Sequence, residues 1–205
     1  MEDALKKLLN YQVPHFFQLL ESINKNKCTL DTSDTGAGKT YTALALCKAL
    51  KLSPFIVCPK SVLYTWKQVA EYFEYPLFGI SNYESMKYGT YYTSAFERVK
   101  CPFFEVDGKT KPRQFRWMLP PDVLLIFDEA HRCKHFKTAN SRLLLATSII
   151  PCKVLLLSAT LADKIAYFKP FGYLLRFYPT LKDFSKWLKQ QMRDKEKGML
   201  TLHKM

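Results

Sequence analysis

The chain alternates between short apolar runs typical of buried strands and longer stretches with the composition of amphipathic helices. The apolar runs are rich in Val, Ile, Leu and Phe, and the later ones, VLLIF and VLLL, show no polar alternation. Continuous runs of this kind are expected for strands of a parallel sheet that helices cover on both faces. The predicted strands are Cys28–Asp31, Phe55–Cys58, Leu77–Ile80, Val123–Phe127 and Val154–Leu157.

Helical stretches separate these runs and are predicted at Tyr41–Lys51, Ser61–Phe73 and about Thr138–Thr147. The alternation predicts an α/β domain with a parallel sheet flanked by helices, here over residues 1–160. An insertion at about 88–121 is irregular, basic and interrupted by proline, and within it Asp107-Gly108 predicts the turn of a hairpin. Residues 161–205 are predicted to form a helical, Lys-rich extension.

The composition is that of a folded domain with a polyanionic partner. Hydrophobic residues make up 48% of the 205 residues and charged residues 24%, which supplies enough apolar material for a core. Lys and Arg number 31 against 18 Asp and Glu, for a formal charge of +13 at pH 7. Such an excess favours a polyanion, although charge alone does not distinguish DNA, RNA and a membrane surface.

The sequence also bears on the compartment. The first residues lack the apolar core of a signal peptide, and no apolar run is long enough to cross a membrane. The six cysteines form no C-x-x-C pair, which is a poor zinc framework and typical of free thiols. His131, Cys133 and His135 lie close together in sequence but do not complete a ligand set. We therefore expect an intracellular protein, nuclear or cytoplasmic, with no membrane partner.

A glycine-containing segment between the first predicted strand and the first predicted helix resembles a phosphate-binding loop. Gly36 and Gly38 let the backbone bend so that successive N–H groups point at phosphate oxygens, beside the positive end of the following helix. Lys39 is expected to reach the β- and γ-phosphates, and the Thr40 hydroxyl to ligate Mg²⁺. The predicted nucleotide-binding residues of the loop are Ser33, Asp34, Thr35, Gly36, Ala37, Gly38, Lys39 and Thr40.

Two carboxylates follow the strand VLLIF, at the edge of an open parallel sheet where ligands bind. Asp128 is expected to hold Mg²⁺ through its water shell, since this ion keeps several waters and takes one or two carboxylates. Glu129 is expected to orient and polarise the attacking water, and His131 to couple the nucleotide state to the rest of the protein. With the phosphate loop upstream, these residues predict a site for ATP hydrolysis.

Two further segments fit the same site. Ser158-Ala159-Thr160 ends the strand after DEAH, where hydroxyls could sense the γ-phosphate and pass its state to a nucleic-acid surface. Gln12 precedes the loop, and its amide offers both a donor and an acceptor to adenine, which would select ATP over GTP. ATP and Mg²⁺ are therefore the predicted cofactors.

Gln12, the phosphate loop, DEAH and Ser158-Ala159-Thr160, in this order, resemble the conserved elements of superfamily 2 helicases. PFIVCPKSVLYTWKQVAEYF from Pro54, ISNYESM from Ile80, DEAHRCKH and the segment after Thr160 are similar to Swi/Snf-type DNA translocases. The resemblance implies a RecA-like N-terminal lobe of a motor that moves along nucleic acid, with double-stranded DNA as the expected partner. It also implies contacts with the sugar-phosphate backbone from Lys60, Ser61, Asn82 and Tyr83.

The sequence departs from the Swi/Snf pattern in two respects. Ser158-Ala159-Thr160 is the wider helicase form, where Swi/Snf members usually carry a Gly-Thr-Pro-like version, and it is compatible with a branch from large viruses or phages. No second βαβ series follows Thr160. Since the family needs a second RecA-like lobe whose arginines reach the γ-phosphate, we expect that lobe to act in cis or in trans.

Two functions follow from these observations. The leading hypothesis is the ATP-binding lobe of a helicase or DNA translocase, and the alternative is a stand-alone lobe that binds ATP and nucleic acid without efficient hydrolysis. An unrelated P-loop enzyme such as a kinase would not explain DEAH followed by SAT. Trp66 and Tyr72 are expected to pack in the core. A solvated hairpin and a DNA-binding hairpin are equally open for the basic residues of the insertion, Lys109, Lys111, Arg113 and Arg116.

Overall fold

The computed structural model describes residues 1–93, 95–107 and 112–196, with side chains up to residue 193. In these ranges the strands are β1 Cys28–Asp31, β2 Ser53–Cys58, β3 Gly79–Asn82, β4 Thr90–Tyr92, β5 Arg98–Lys100, β6 Phe104–Asp107, β7 Gln114–Trp117, β8 Val123–Asp128 and β9 Lys153–Leu157. A seven-stranded sheet has the order β1-β9-β8-β2-β3-β4-β5, in which the first five strands are parallel. The predicted α/β fold with a parallel sheet is therefore confirmed.

One predicted strand lies further along the chain than expected. Leu77–Ile80 was the predicted range, whereas β3 begins at Gly79 and pairs with β2 from there to Asn82. The position of Gly79 explains the start, because a Cβ there would lie 2.8 Å from the rings of both Phe55 and Tyr91. Glycine therefore permits a close approach that a larger residue would block.

The insertion is more regular than its sequence suggests. β4 and β5 run antiparallel and extend the main sheet beyond β3, and β6 pairs with β7 in a separate two-stranded sheet. The predicted hairpin is confirmed, but the glycine of its predicted Asp107-Gly108 turn lies outside the described residues. Irregular structure was wrongly expected for β4 and β5 because each has only three residues and β5 is exposed throughout.

Helices cover both faces of the sheet. The helices are α1 Glu2–Leu5, α2 Gln12–Lys25, α3 Lys39–Leu50, α4 Leu63–Phe73, α5 Tyr83–Met86, α6 Ala139–Leu145, α7 Lys169–Leu174 and α8 Phe184–Glu196. The cluster of buried residues on one face includes side chains of α2, α3 and α4. The cluster on the other face includes side chains of α5, α6, α7 and the β6–β7 hairpin. These two layers separate the surfaces considered below.

The segment after residue 160 is helical where the structure describes it. Phe171 of α7 is fully buried in the same core cluster as α6. Trp187 of α8 lies 5.5 to 6.0 Å, between ring centroids, from four aromatic rings, those of Phe168, Phe177, Tyr178 and Phe184. The extension thus packs on the domain through aromatic contacts. None of the described helices is both long and apolar enough to cross a membrane.

The strand order brings several loops to one edge of the sheet. Asp31 and Asp128 are both level with Leu157, and Cys58 is level with Asn82. Because the strands are parallel, the segments that follow them emerge at this carboxyl edge, about 4.8 Å apart from strand to strand. The sequence-predicted site residues therefore lie along a single edge.

Candidate active site

The loop between β1 and α3 has the backbone that its glycines predict. Gly36 and Gly38 have φ angles of +85° and +82°, in the left-handed region that glycine adopts without strain. A turn closed by the Ala37 N–H and the Asp34 carbonyl forms the tip of the loop, and α3 begins at Lys39. Because a Cβ at Gly36 would meet nothing within 4 Å, the space beside that residue is open.

Lys39 already lies across this loop. Its Nζ donates to the carbonyl oxygens of Ser33 at 2.7 Å and Asp34 at 2.8 Å. These carbonyls hold the ammonium group in the concavity where phosphate oxygens of a nucleotide would be its stronger partners. Thr40 follows as the second residue of α3 and is half-buried.

Gln12 packs directly on the phosphate loop from α2. It is 4% exposed, its Oε1 accepts from the Leu9 N–H at 2.9 Å, and its Nε2 donates to the Ala37 carbonyl at 3.4 Å. A Cβ on Gly38 would lie only 1.9 Å from Gln12 Nε2, so the glycine also makes room for this amide. The structure therefore brings Gln12 and the loop together across 25 positions of sequence.

A second residue of α2 reaches the other end of the loop and was missed in the sequence. His15 Nε2 lies 2.9 Å from Oδ2 of Asp31, whose Oδ1 accepts from the Ser33 N–H at 2.9 Å. This hydrogen bond raises the pKa of His15. Burial alone would raise the pKa of Asp31, but the hydrogen bonds from His15 and Ser33 lower it. A polar residue one helical turn after Gln12 was the only available signal.

Asp128 ends β8 with both carboxylate oxygens engaged. Oδ2 accepts from the indole N–H of Trp66 at 2.9 Å, and Oδ1 accepts from the Glu129 N–H at 2.9 Å. Burial raises the pKa of Asp128 and the Glu129 charge adds to this, whereas the Trp66 N–H opposes it. Trp66 is fully buried, as expected, but it also positions the carboxylate, a role not predicted from the sequence.

The rest of the acidic box forms a polar chain with the segment after β9. Glu129 has a φ of +52°, and its Oε2 lies 3.0 Å from Nδ1 of His131. The same nitrogen lies 3.2 Å from the hydroxyl of Ser158, which in turn donates to the Thr160 carbonyl at 3.0 Å. His131 therefore connects the DEAH segment to Ser158-Ala159-Thr160 through direct contacts.

Two of the residues expected at a nucleic-acid surface are inside the protein. Asn82 is 3% exposed and caps α5 by accepting from the Ser85 N–H, and Tyr83 is fully buried. The Tyr83 hydroxyl donates to the Asp128 carbonyl at 2.8 Å, and burial raises its pKa well above the usual value. Both side chains support the acidic box from within, because α5 turns inward directly after β3, and neither presents a surface to a ligand.

The other expected contacts are accessible. Lys60 and Ser61 are exposed in the 3-10 turn that follows β2, at the carboxyl edge. The expectation that Tyr72 packs in the core is wrong, since this residue is 50% exposed. On α4 the buried positions 63, 66, 69, 70 and 73 share one face at helical spacing, and position 72 lies outside it.

The residues present fit Mg²⁺ with a nucleotide triphosphate. No group of three or more His, Cys, Asp or Glu side chains that could cage a metal occurs in the described part of the chain. Magnesium does not need such a cage, since it is usually held by one or two carboxylates, waters and substrate phosphates. Asp128 and Thr40 are donors of that kind. Cys133 is buried and burial raises the pKa of its thiol, which does not favour a metal-binding thiolate.

The parallel sheet, the glycine loop and the acidic box define a RecA-like N-terminal lobe of a superfamily 2 helicase. A family model described as type III restriction enzyme, res subunit, matches residues 5–163, and the chain belongs to this family. The chain is 38% identical over 191 residues to the protein named "Putative ATP-dependent RNA helicase L364" of Acanthamoeba polyphaga mimivirus. That alignment covers 89% of this chain and 36% of the relative.

A solved structure supports the fold. The chain is similar to the Sulfolobus solfataricus SWI2/SNF2 ATPase core in complex with dsDNA, with a TM-score of 0.59 and 16% sequence identity. The similarity covers 86% of this chain and 38% of that structure. The chain thus spans little more than a third of the length of the viral relative and of the archaeal core.

Proposed function

We propose that this chain binds Mg-ATP at the carboxyl edge of its sheet, as one lobe of a motor that hydrolyses ATP and moves along nucleic acid. The observation that carries the proposal is the strand order β1-β9-β8, which puts the phosphate loop, the Ser158 segment and Asp128 side by side. Membership of the helicase-type family and the polar chain between these segments support it.

Each residue has a role in this proposal. Lys39 would exchange its two carbonyl partners for β- and γ-phosphate oxygens, while the loop N–H groups and the start of α3 would bind the remaining charge. Asp128 and Thr40 would hold Mg²⁺, which neutralises charge on the phosphate oxygens during transfer. Glu129 would orient the attacking water. His131, in contact with both Glu129 and Ser158, would report the state of the site to the loop after β9.

Gln12 is proposed to select adenine. Its Oε1 and Nε2 each have one partner within the protein, which leaves one acceptor lone pair and one N–H free. A donor and an acceptor side by side match the edge of adenine and not that of guanine. Because the same side chain rests on Ala37 and Gly38, binding of the base would be coupled to the shape of the phosphate loop.

The partners are proposed as double-stranded DNA and a second RecA-like lobe, in cis or in trans, as in Swi/Snf-type translocases. The exposed Lys60 and Ser61 lie at the same edge as the nucleotide site and are suited to phosphate contact. The fold of the archaeal core and the charge of +13 are compatible with this assignment.

Binding to nucleic acid should depend steeply on salt and hardly on sequence, because phosphate contacts release counterions. Lys60→Gln is expected to lower the slope of log K against log salt concentration by about one unit. Lys51→Asn is the control. It removes an exposed charge from the end of α3, at the opposite edge of the sheet, where a φ of +56° suits asparagine. Fluorescence anisotropy with a short DNA duplex measures both, and binding insensitive to salt contradicts a backbone-tracking role.

The contact between Trp66 and Asp128 gives a test of the magnesium site. Trp66→Phe should raise the pKa of Asp128 further, so Mg²⁺ must compete with a proton, and loss of metal binding on acidification begins at a higher pH. We expect the Mg²⁺ concentration for half-maximal binding of fluorescent ATP to rise several-fold, with a stability cost of about 1–3 kcal/mol for the unpaired acceptor.

Trp117→Phe is the matched control for this experiment. Trp117 is also buried, and its indole N–H donates to the Leu143 carbonyl at 3.0 Å, in the opposite layer. It should lower the melting temperature without changing the Mg²⁺ requirement. An equal shift in Mg²⁺ requirement for the two variants would mean that the effect comes from general destabilisation.

A further inference from the structure

Four basic residues in the opposite layer from the phosphate loop are linked by hydrogen bonds into one surface. Arg113 of the insertion donates from Nη1 to the Lys87 carbonyl at 3.1 Å, and its guanidinium lies 4.5 Å from the centroid of the exposed Tyr88 ring. Arg142 of α6 donates from Nε to the Arg113 carbonyl at 3.2 Å and from Nη1 to the Lys137 carbonyl. We call Lys87, Arg113, Lys137 and Arg142 the basic patch.

The charges of the basic patch are poorly compensated. The two guanidinium groups donate to neutral backbone carbonyls, and among the described residues neither is within 4.0 Å of a carboxylate, nor is Lys137. The one nearby carboxylate in an ion pair is the exposed Glu84, 3.7 Å from the Lys87 ammonium. Cations gathered in this way repel one another, and an anionic ligand would relieve the repulsion.

The basic patch lies at the carboxyl edge but away from the nucleotide. Lys87 follows α5, which begins where β3 ends, and Lys137 lies in the segment that follows β8. These strands flank β2, whose end leads to Lys60 and Ser61. The hairpin, α5 and α6 pack in the layer opposite to α2 and α3, so the patch does not serve the ATP phosphates.

From this arrangement we propose that the basic patch binds the sugar-phosphate backbone of nucleic acid, as a second contact site that continues the track from Lys60 and Ser61. The inference rests on the proposed function. The β6–β7 hairpin would then act as an anchor that brings Arg113 to the edge, with Phe104 and Trp117 buried in the core at its base. Several cations in a row suit a polymer of regularly spaced phosphates.

The lysines of the patch allow a test that leaves its hydrogen bonds intact. Only the backbone carbonyls of Lys87 and Lys137 accept from the arginines, so Lys87→Gln and Lys137→Asn remove charge without cutting the network. Lys137 has a φ of +81°, which asparagine tolerates. Lys51→Asn is the matched control, since it replaces an exposed left-handed lysine at the far edge.

Binding to a duplex DNA and to a single-stranded RNA of equal length would be titrated from about 0.1 to 1 M salt. Each lost phosphate contact should lower the affinity about eightfold at 0.1 M relative to 1 M and reduce the salt slope by about one. The double variant should lose about two units of slope and keep the melting temperature of the wild type. Loss on both polymers supports a general backbone site, and loss on one supports the site and identifies its partner.

Two negative results are distinguishable. If the wild type binds neither polymer in a salt-dependent manner, the proposed function itself fails. If the wild type binds and Lys60→Gln weakens binding, but the double variant matches Lys51→Asn, then the basic patch only fastens the insertion to α6 and the inference is overturned.

Discussion

Assayed by itself, the 205-residue chain is expected to release phosphate from ATP barely above background, with or without DNA. The phosphate loop, Asp128 and Glu129 supply binding, Mg²⁺ and the water, but a cation must also reach the γ-phosphate from the opposite side as charge develops there. In the described part of the chain, the hydrogen bonds and ion pairs of the loop and acidic box include no arginine. Such an arginine contributes about 10³ to 10⁵ in rate in related phosphoryl transfers, roughly 4 to 7 kcal/mol of barrier.

Addition of a second RecA-like lobe, in cis or as a separate subunit, should restore DNA-stimulated hydrolysis. Glu129→Gln should abolish the restored activity while leaving Mg-ATP binding in place, because the amide retains the size of the side chain but cannot polarise the water. Steady-state phosphate release at saturating ATP is the measurement. Robust DNA-stimulated turnover by the purified chain alone would show that the catalytic machinery is placed wrongly here.

Lys39→Ala is expected to weaken ATP binding on the order of 100-fold, the largest effect of any single substitution on nucleotide affinity. The reason is that Lys39 is the one cation among the loop residues, and a hydrogen bond to a charged group contributes about 1.5–3 kcal/mol. Titration of a fluorescent ATP analogue in the presence of Mg²⁺ measures the change.

Two variants frame this result. Lys51→Asn removes a charge from the other end of α3 and should bind ATP like the wild type. Gln12→Ala should mainly reduce the discrimination between ATP and GTP, with a smaller loss of affinity because the amide also supports Ala37. Unchanged ATP binding in Lys39→Ala would refute the assignment of the phosphate loop.

The parts of the site that were predictable are those in which neighbouring residues act together. The phosphate loop needs glycines, a lysine and a helix start within one short segment, and the structure shows all of them there. The acidic box needs a buried strand and the carboxylates at its end, which are also adjacent in sequence. Such features depend on local backbone conformation, so a single sequence contains them.

The supporting contacts were not predictable because they join distant positions. Trp66 and Asp128 are 62 residues apart, Tyr83 and Asp128 are 45 apart, and His15 and Asp31 are 16 apart. Each of these side chains could equally have been ordinary core or surface. Asn82 and Tyr83 show the same limit, since a motif resemblance suggested a surface role and packing buried both of them.

The sequence by itself determined the type of fold, the phosphate loop and the acidic box, because strand periodicity and glycine backbone preferences act within a few residues. Only the tertiary structure decided which edge the loops share, which partners orient Asp128, and that Tyr72 points to solvent whereas Trp66 points inward. It also joined the hairpin to α6 through Arg113 and Arg142. Such contacts arise from strand order and close packing of separate segments, which no local pattern encodes.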